Sequence, residues 1–579
     1  MMDPRLSSAH VMGYERVAAW SDLLDRINVF PVADADTGRN LKVSLAPIRA
    51  LDGSPVPVIR RLTRAATGNS GNIAAAFFSH FLAADTPAGL LAAAREGRDH
   101  AWQVMRDPRP GTMLSLLDAL VSALSQRRPP SPELSSGSPL IDELALAVQK
   151  TTDQLPALAR AGVVDAGALG LFIYLEGFWG QLTGAEASMT DPSDRFSGRL
   201  RIAPAFQPAA EEGFCIDALI APAGDAAAVI DVISAHGESI VADTLDRQVK
   251  LHLHSRDRAE ARRLLESVGT VLHWQDSALA HDTARRPPAA GGRVHVVTDA
   301  AGSLTRADAD RFGITLLDSY LLVDDQVVPE THFKPEVLYS AMRAGRPVST
   351  AQASVFERHE CYRSVLSRHR HVIYLAVGSA FTGNADTAAA WQAQNDPDGR
   401  LTVVDTGAAS GRLALIALAT AREALRADDP DAVYRYAVSA AARCEEYVFL
   451  DQLKYLARGG RISKSKGFVG DLLNMKPIIS PRPSGAEKIG VVRNRQQQVA
   501  FAVSGLKDCL GPAAAPLILL QYSDNRDWVT KTAAPSIAGC YPDAEILLRP
   551  LSLTSGAHMG PGTWAVAFLP DAPPASEDA

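Results

Sequence analysis

Cysteine is scarce and scattered: Cys215, Cys361, Cys444, Cys509 and Cys540 are the only five among 579 residues. An odd, dispersed set does not make a disulfide framework and suits a reducing compartment. Long apolar runs are missing too. No stretch reaches the roughly 18 apolar residues of a spanning helix. The opening MMDPRLSSAHVMGYERVAAW places acidic and polar residues where a signal peptide carries an apolar core. The expectation is a cytoplasmic protein without a membrane span. Lysine and arginine never cluster densely enough to follow a phosphate backbone, and the formal charge is only −7, so nucleic acid is not an expected partner.

What is present is an ordinary globular composition, 47% hydrophobic and 21% charged, in a chain too long for one hydrophobic core. Two segments concentrate proline, glycine and small polar residues: QRRPPSPELSSGSP at 126–139 and HDTARRPPAAGG at 281–292. The first interrupts a region of alanine- and leucine-rich helical periodicity, as in AAAFFSHFLAA, SLLDALVSAL and IDELALAVQK. The closing DAPPASEDA reads as a disordered tail. The expected architecture is multidomain: an all-α region over 1–200, a small α+β region over 206–282 and an α/β region over 292–571. In the middle region the order reads strand, helix, strand, strand, helix. From 293 onward, apolar strands such as VHVVTD, HVIYLAVG and LTVVDTG alternate with helices, which predicts a largely parallel sheet.

The chemistry begins in NVFPVADADTGRN, residues 28–40, where Asp34 and Asp36 stand two apart beside Thr37, Gly38 and Asn40. Closely spaced hard oxygens suit magnesium. Alone, the stretch reads first as an Asx-type turn. Downstream, TGNSGNIAAAF, RPGTMLSLL and VVDAGALGLFIYLEG each place glycine and small polar residues at the mouth of an apolar helix, where free amides and the helix dipole favour phosphate. A helix cap accounts for any one of them; four polar turns in one helical region are more than caps require.

These four motifs, in this order over residues 10–185, resemble the ATP-binding (DhaL-type) domain of dihydroxyacetone kinases. They resemble the amino-terminal domain of bacterial fatty acid kinases more closely. The resemblance implies a barrel of antiparallel helices that binds ATP and magnesium. It makes Asp34 and Asp36 metal ligands and catalytic residues, with Asn28 as a third ligand. It places Asn28, Thr37, Asn40, Asn69, Ser70, Gly71, Gly111, Thr112, Asp165 and Gly167 around the nucleotide. Three departures stand out: Ala35 replaces the glycine between the two acids, Ala168-Leu169 replaces a glycine-glutamine pair, and Arg109-Pro110 precedes Gly111-Thr112. If position 35 needs a positive φ, alanine reaches it only at a cost.

In the middle region QVKLHLHS alternates as a strand, with Val249, Leu251 and Leu253 on one face and Lys250, His252 and His254 on the other. With Cys215 from GFCIDALI, His252 and His254 are candidate zinc ligands, a fourth coming from solvent or elsewhere. Two half-exposed histidines and a buried thiol are the plainer reading. The middle domain of fatty acid kinases carries a similar cysteine and histidine-x-histidine strand, and that resemblance implies structural or regulatory zinc.

The carboxyl-terminal half places small hydroxyls and glycines at strand ends in VVTDAAGSL, VSTAQAS, AVGSAFTGN and SGAHMGPGTW. Between them lies DQLKYLARGGRISKSKGFVGDLLNMKPII. The set resembles the two-lobed DegV family of fatty-acid-binding proteins. That resemblance places Thr350, Ser379, Thr382, Gly383 and His558 around a fatty acid carboxylate. It makes Arg461 a residue for docking against the kinase region or for steadying phosphate charge, and so a catalytic candidate. Here Asp299-Ala300 replaces an aspartate-serine pair, and Ala351 replaces a serine after Thr350.

Together the resemblances imply a fatty acid kinase fused to its lipid-presenting module and feeding phospholipid metabolism. A homodimer and transient contact with a membrane or an acyltransferase are the expected associations. Two alternatives stand beside this reading: a fatty acid carrier with an inactive kinase-like domain, and a dihydroxyacetone-type (glycerone) kinase.

Overall fold

The computed structural model describes residues 2–126, 139–186, 189–208, 212–234, 237–279, 294–427, 429–458, 475–511 and 515–570. The proline-rich loop between Gln126 and Pro139, the 281–292 linker, the 571–579 tail and the glycine-rich stretch with Arg461 lie outside the described residues. The chain divides into two compact units, Met1–Thr283 and Ala284–Ala579. No helix among the described residues is long and apolar enough to cross a membrane.

The first unit opens with helices α1 (Pro4–Ile27), α2 (Thr37–Leu45), α3 (Pro55–Ala65), α4 (Gly68–Phe81), α5 (Leu90–Gln103), α6 (Met113–Ser125), α7 (Pro139–Gln154), α8 (Pro156–Ala161), α9 (Ala166–Thr183) and α10 (Pro192–Arg195). Their starts follow local chemistry. Asp3 caps α1 by accepting from Arg5 N with Pro4 in the first turn, and the Asp165 carboxylate caps α9 by accepting from Ala168 N. Helix α9 is apolar all round and buried from Ala166 to Gly180, the mark of a central helix. It packs along α1 and α6. Truncating one of its fully buried aromatics, such as Phe172, to alanine would cost about 3–5 kcal/mol.

The same unit continues as β1 (Phe214–Pro222), α11 (Ala226–Ser234), β2 (Glu238–Leu245), β3 (Gln248–Ser255), α12 (Arg258–Val268) and β4 (Gly269–Ala278). The strands form an antiparallel sheet ordered β2-β3-β1-β4. Strand β4 adds to the expected order; its exposed edge and residues such as His273, Gln275 and Asp276 mask the strand signal. One sheet face buries Ile216, Ala218, Ile220, Val249, Leu251 and Leu253 against Val229, Ile233 and Leu265 of the two helices. The opposite face carries Cys215, Asp217, Lys250, His252 and His254, and packs on α4. Strand β2 also bonds on its outer edge: Arg106 N donates to Ile240 O at 3.1 Å and Ala242 N to Val104 O at 2.9 Å.

In the second unit a four-stranded parallel sheet is ordered β11-β10-β5-β6, from Leu401–Asp405, His371–Ala376, Val294–Asp299 and Ile314–Leu317. A three-stranded antiparallel sheet, β8-β7-β9, joins Gln326–Pro329, Tyr320–Val323 and Val348–Ala351. A six-stranded sheet, β14-β13-β12-β17-β15-β16, combines Gly485–Val492, Lys476–Arg482, Glu445–Phe449, Trp564–Leu569, Leu517–Tyr522 and Glu545–Pro550. In it only β15 and β16 run parallel. The expectation of a largely parallel arrangement therefore holds for the first sheet and fails for the other two. The cause is two-sided burial: Leu517, Leu519, Ala567 and Leu569 enter one core, and Ile518, Leu520, Val566 and Phe568 enter another. An unbroken apolar run reports cover on both faces, which parallel sheets usually have but antiparallel ones can share.

Candidate functional site

The acidic turn lies between α1 and α2. Ala35 holds φ 54°, a left-handed conformation that costs a residue with a Cβ about 1–2 kcal/mol. With the backbone so placed, Asp34 and Asp36 come within hydrogen-bonding reach of each other. Burial, then the charge and hydrogen bond of Asp36, push the Asp34 carboxyl up to about 8. Asn28 braces this pair: its Nδ2 donates to Asp34 Oδ1 at 2.7 Å, and its Oδ1 accepts from Thr37 Oγ1 at 2.7 Å. Its carbonyl oxygen is thus engaged by Thr37, so as a metal ligand it would have to share or exchange that donor.

Helix α4 supplies the next layer. Gly68 has φ 65°, and a Cβ there would lie 2.0 Å from Asn40 Nδ2, so only glycine lets the start of α4 close on α2. Ser70 Oγ donates to Thr37 Oγ1 at 3.4 Å, and Asn69 Oδ1 is buried without a hydrogen-bond partner among the described residues. This acceptor stands beside the helix start and the paired acids in the lining of one cavity. Gly71 and Gly111 act as spacers. A Cβ on the first would strike Ser44 Oγ of α2, and the second turns the chain at φ 87° before Thr112, the N-cap of α6.

Two cavities meet at Pro31, Thr37, Asn69 and Ser70. The smaller, about 20 Å³, is lined by the acidic turn with Asn40 and Gly68 and, from the middle sheet, Cys215, His252 and His254. The larger, about 620 Å³, is bounded by Thr112, Asp165 and Gly167, by Arg106 and Arg109, and by Gly237–Ile240 of the middle region. That volume falls within the roughly 300–1,000 Å³ of small-molecule sites. Burial pushes the Asp165 carboxyl up to about 7.

The Cys215 sulfur and one nitrogen each from His252 and His254 lie within 4.8 Å of one another. Register explains this: Cys215 stands opposite His254, and Asp217 opposite His252, across the β1–β3 pair. One thiol and two imidazoles form a soft donor set suited to zinc. Burial and the neighbouring His252 push His254 down to about 4, whereas Cys215 and Asp217 outweigh burial at His252 and raise it to about 10. Burial also raises the Cys215 thiol, a shift that metal coordination reverses. Chemically, the cluster and the paired acids are separate donor sets, one soft and one hard, that share a single cavity wall.

Two acids were missed in the sequence. Asp25 accepts from Arg39 N at 3.0 Å; burial, offset in part by Arg39, pushes it up to about 6, with Asp36 adding its charge. Asp217 is the larger omission. Its carboxylate accepts from Thr67 Oγ1 at 2.9 Å, Gly68 N at 3.1 Å, Asn72 Nδ2 at 3.2 Å and His252 Nδ1 at 3.3 Å, and Lys250 Nζ lies 3.6 Å away. Burial raises its proton affinity, but the charges of Lys250 and His252 outweigh this and hold it well below the usual carboxylate range. Strand alternation from Cys215 was the signal that would have placed Asp217 on the ligand face.

In the second unit Thr350 Oγ1 and His558 Nε2 come to 3.3 Å. Ser379 is exposed, its backbone N donating to Asp405 Oδ1 at 3.1 Å, while Thr382 Oγ1 accepts from Asn384 N at 3.3 Å, with Gly383 capping helix Asn384–Asn395. Beneath this loop the buried Asp299 accepts from Arg358, Tyr374, Val377 N and Asn384. Arg461 lies outside the described residues.

Known proteins divide at the same place. Residues 31–180 match the model of the DAK2 domain. Residues 293–571 match a model described as an uncharacterised protein of the DegV family. The chain joins a DAK2 domain to a DegV domain. Among curated relatives, a DegV domain-containing protein of Clostridium perfringens is 25% identical over 48% of this chain and 97% of its own length. One from Streptomyces coelicolor is 27% identical over 47% and 97%. Of solved structures, a DegV family protein from Thermus thermophilus, described for fatty acid binding, shares 24% identity over 48% of this chain and all of that one, with a TM-score of 0.45. DegV of Bacillus subtilis, described as a fatty acid binding protein, shares 18% over the same portions, also with a TM-score of 0.45.

Proposed function

We propose that the chain transfers the γ-phosphoryl group of ATP to a fatty acid carboxylate, giving an acyl phosphate. The observation that carries this reading is the juxtaposition of facing Asp34 and Asp36, the orphaned Asn69 carbonyl and the start of α4 at the mouth of a cavity large enough for a nucleotide.

Asp34 and Asp36 would hold magnesium, which when bound neutralises phosphate charge. Thr37, Asn40, Asn69, Ser70 and the first-turn amides of α4 would receive phosphate oxygens. The base and sugar would fill the larger cavity between Thr112, Asp165 and the Gly237–Ile240 segment. Cys215, His252 and His254 would hold zinc in a structural or regulatory role. In the second unit Thr350, Ser379, Thr382, Gly383 and His558 would receive the carboxylate of the fatty acid, as the DegV motifs imply. In the step itself a carboxylate oxygen bonds to the γ-phosphorus as the bond to the β–γ bridging oxygen breaks, and ADP leaves with that electron pair. The acceptor is already ionised, so no general base is required; positioning and charge neutralisation lower the barrier. Joining donor and acceptor in one chain raises their effective concentration.

The test is to incubate the purified chain with ATP, magnesium and fatty acid, trap acyl phosphate as hydroxamate with hydroxylamine, and identify copurified lipid by mass spectrometry. Hydroxamate should form, and Asp34→Asn should lower turnover by about 100-fold or more while bound lipid is retained. Bound lipid without turnover would make the protein a carrier, and turnover confined to dihydroxyacetone would make it a glycerone-type kinase.

A further inference from the structure

Asp217 belongs to the middle sheet, yet three of its five close polar neighbours, Thr67, Gly68 and Asn72, belong to the start of α4. The other two, Lys250 and His252, stand on the adjacent strand. His252 Nδ1 lies 3.3 Å from one oxygen of this carboxylate, and the Cys215 sulfur lies 3.9 Å from Nδ1 and 4.0 Å from Nε2 of the same ring. A carboxylate against one ring nitrogen is the contact that orients a metal-binding histidine. The other oxygen of the same carboxylate accepts from Gly68 N, in the first turn of the helix that carries Asn69 and Ser70. One side chain thus orients a ligand of the soft cluster and sets the height of the helix start that faces the phosphates.

We propose that Asp217 is a positioning residue that couples metal occupancy of the Cys215–His252–His254 cluster to nucleotide affinity, so that filling the cluster tightens ATP binding. The inference rests on the nucleotide reading given above. When the cluster is filled, His252 is held by the metal on one side and Asp217 on the other. Asp217 then cannot swing with a loose imidazole, and its bonds to Thr67, Gly68 and Asn72 stay in register. With the cluster empty, His252 gains freedom and the carboxylate follows it, loosening the first turn of α4. Lys250 Nζ lies 3.6 Å from the same carboxylate but, standing on β3, does not fix its direction toward α4.

The experiment compares the affinity of the full chain for a magnesium-bound, non-hydrolysable ATP analogue in zinc-loaded and zinc-stripped forms, for wild type and Asp217→Asn. Zinc affinity is measured in parallel by competition with a chromophoric chelator. Stripping should weaken nucleotide binding of the wild type by about tenfold. In Asp217→Asn the ratio should fall toward one, and zinc affinity should drop by about 10- to 100-fold. Equal nucleotide affinity in the two wild-type forms, or an unchanged ratio in Asp217→Asn, overturns the coupling. A wild type that binds the analogue but no zinc overturns it too, while leaving the phosphoryl-transfer reading intact. A wild type that binds zinc but no nucleotide overturns that reading and the coupling with it. Should Asp217→Asn not fold, Thr67→Val decides: it removes one donor on the α4 side without touching a metal ligand, and must lower the ratio with zinc affinity kept within a few-fold.

Discussion

Asp217 in the first unit and Glu330 in the second are both buried, and both tie a β-sheet layer to the start of a helix. They reach opposite electrostatic ends. Asp217 is met by Lys250 and His252 and stays ionised. Glu330 accepts from Thr554 N and Oγ1, both at 2.7 Å, at the start of the helix that carries His558. The other charges acting on it are Asp318 and Asp299, so burial pushes its carboxyl up to about 7. The same task, holding a helix beside a binding loop, is done in one case by a charge that needs its cations and in the other by an acid that is best left protonated.

The comparison breaks most severely if a cation is removed. Lys250→Met should leave the Asp217 charge under-compensated and destabilise the first unit by about 3–5 kcal/mol, seen as an earlier denaturant transition for that unit. A transition in the wild-type position would mean that His252 and the α4 donors suffice. The second unit should respond to pH instead. A folded-state carboxyl raised above its unfolded value means the native state binds more protons over the interval between the two. Stability therefore falls as pH rises from about 4.5 to about 7. Glu330→Gln should flatten that slope in thermal melts of the full chain across this window; an unaltered slope would show that Glu330 is ionised throughout. The smallest effect sharpens a third way of holding acids, the strained turn between Asp34 and Asp36. Ala35→Gly should relieve about 1 kcal/mol of left-handed strain, read as a modest rise in the midpoint of the first unit and in magnesium affinity. A loss of both would show that Ala35 rigidity is worth more than the relief.

Much of the site was legible because its residues obey local rules. The acidic turn, the glycine-rich helix starts and the alternating QVKLHLHS each announce themselves within a dozen residues. Their convergence was not legible. The sequence treats Asp34–Asp36 and Cys215–His252–His254 as two metal candidates some 180 residues apart, and only the packing of the middle sheet on α4 puts them in one cavity. Asp217 escaped for a related reason: it contributes neither a motif nor a ligand, and its importance lies in neighbours supplied by another layer. In the second unit, the pairing of Thr350 with His558 across more than 200 residues was available only through the family motif, and strand direction was lost because apolar runs report burial rather than orientation.

The engagement of β2 by the Val104–Arg106 segment has one further consequence. β2 is an outer strand of its sheet, and outer strands offer a row of unpaired amides and carbonyls on which a foreign strand can grow. Here Ile240 O and Ala242 N are already taken by Arg106 and Val104. At those positions the protein has sealed the edge against accretion of another chain with a piece of its own helical layer.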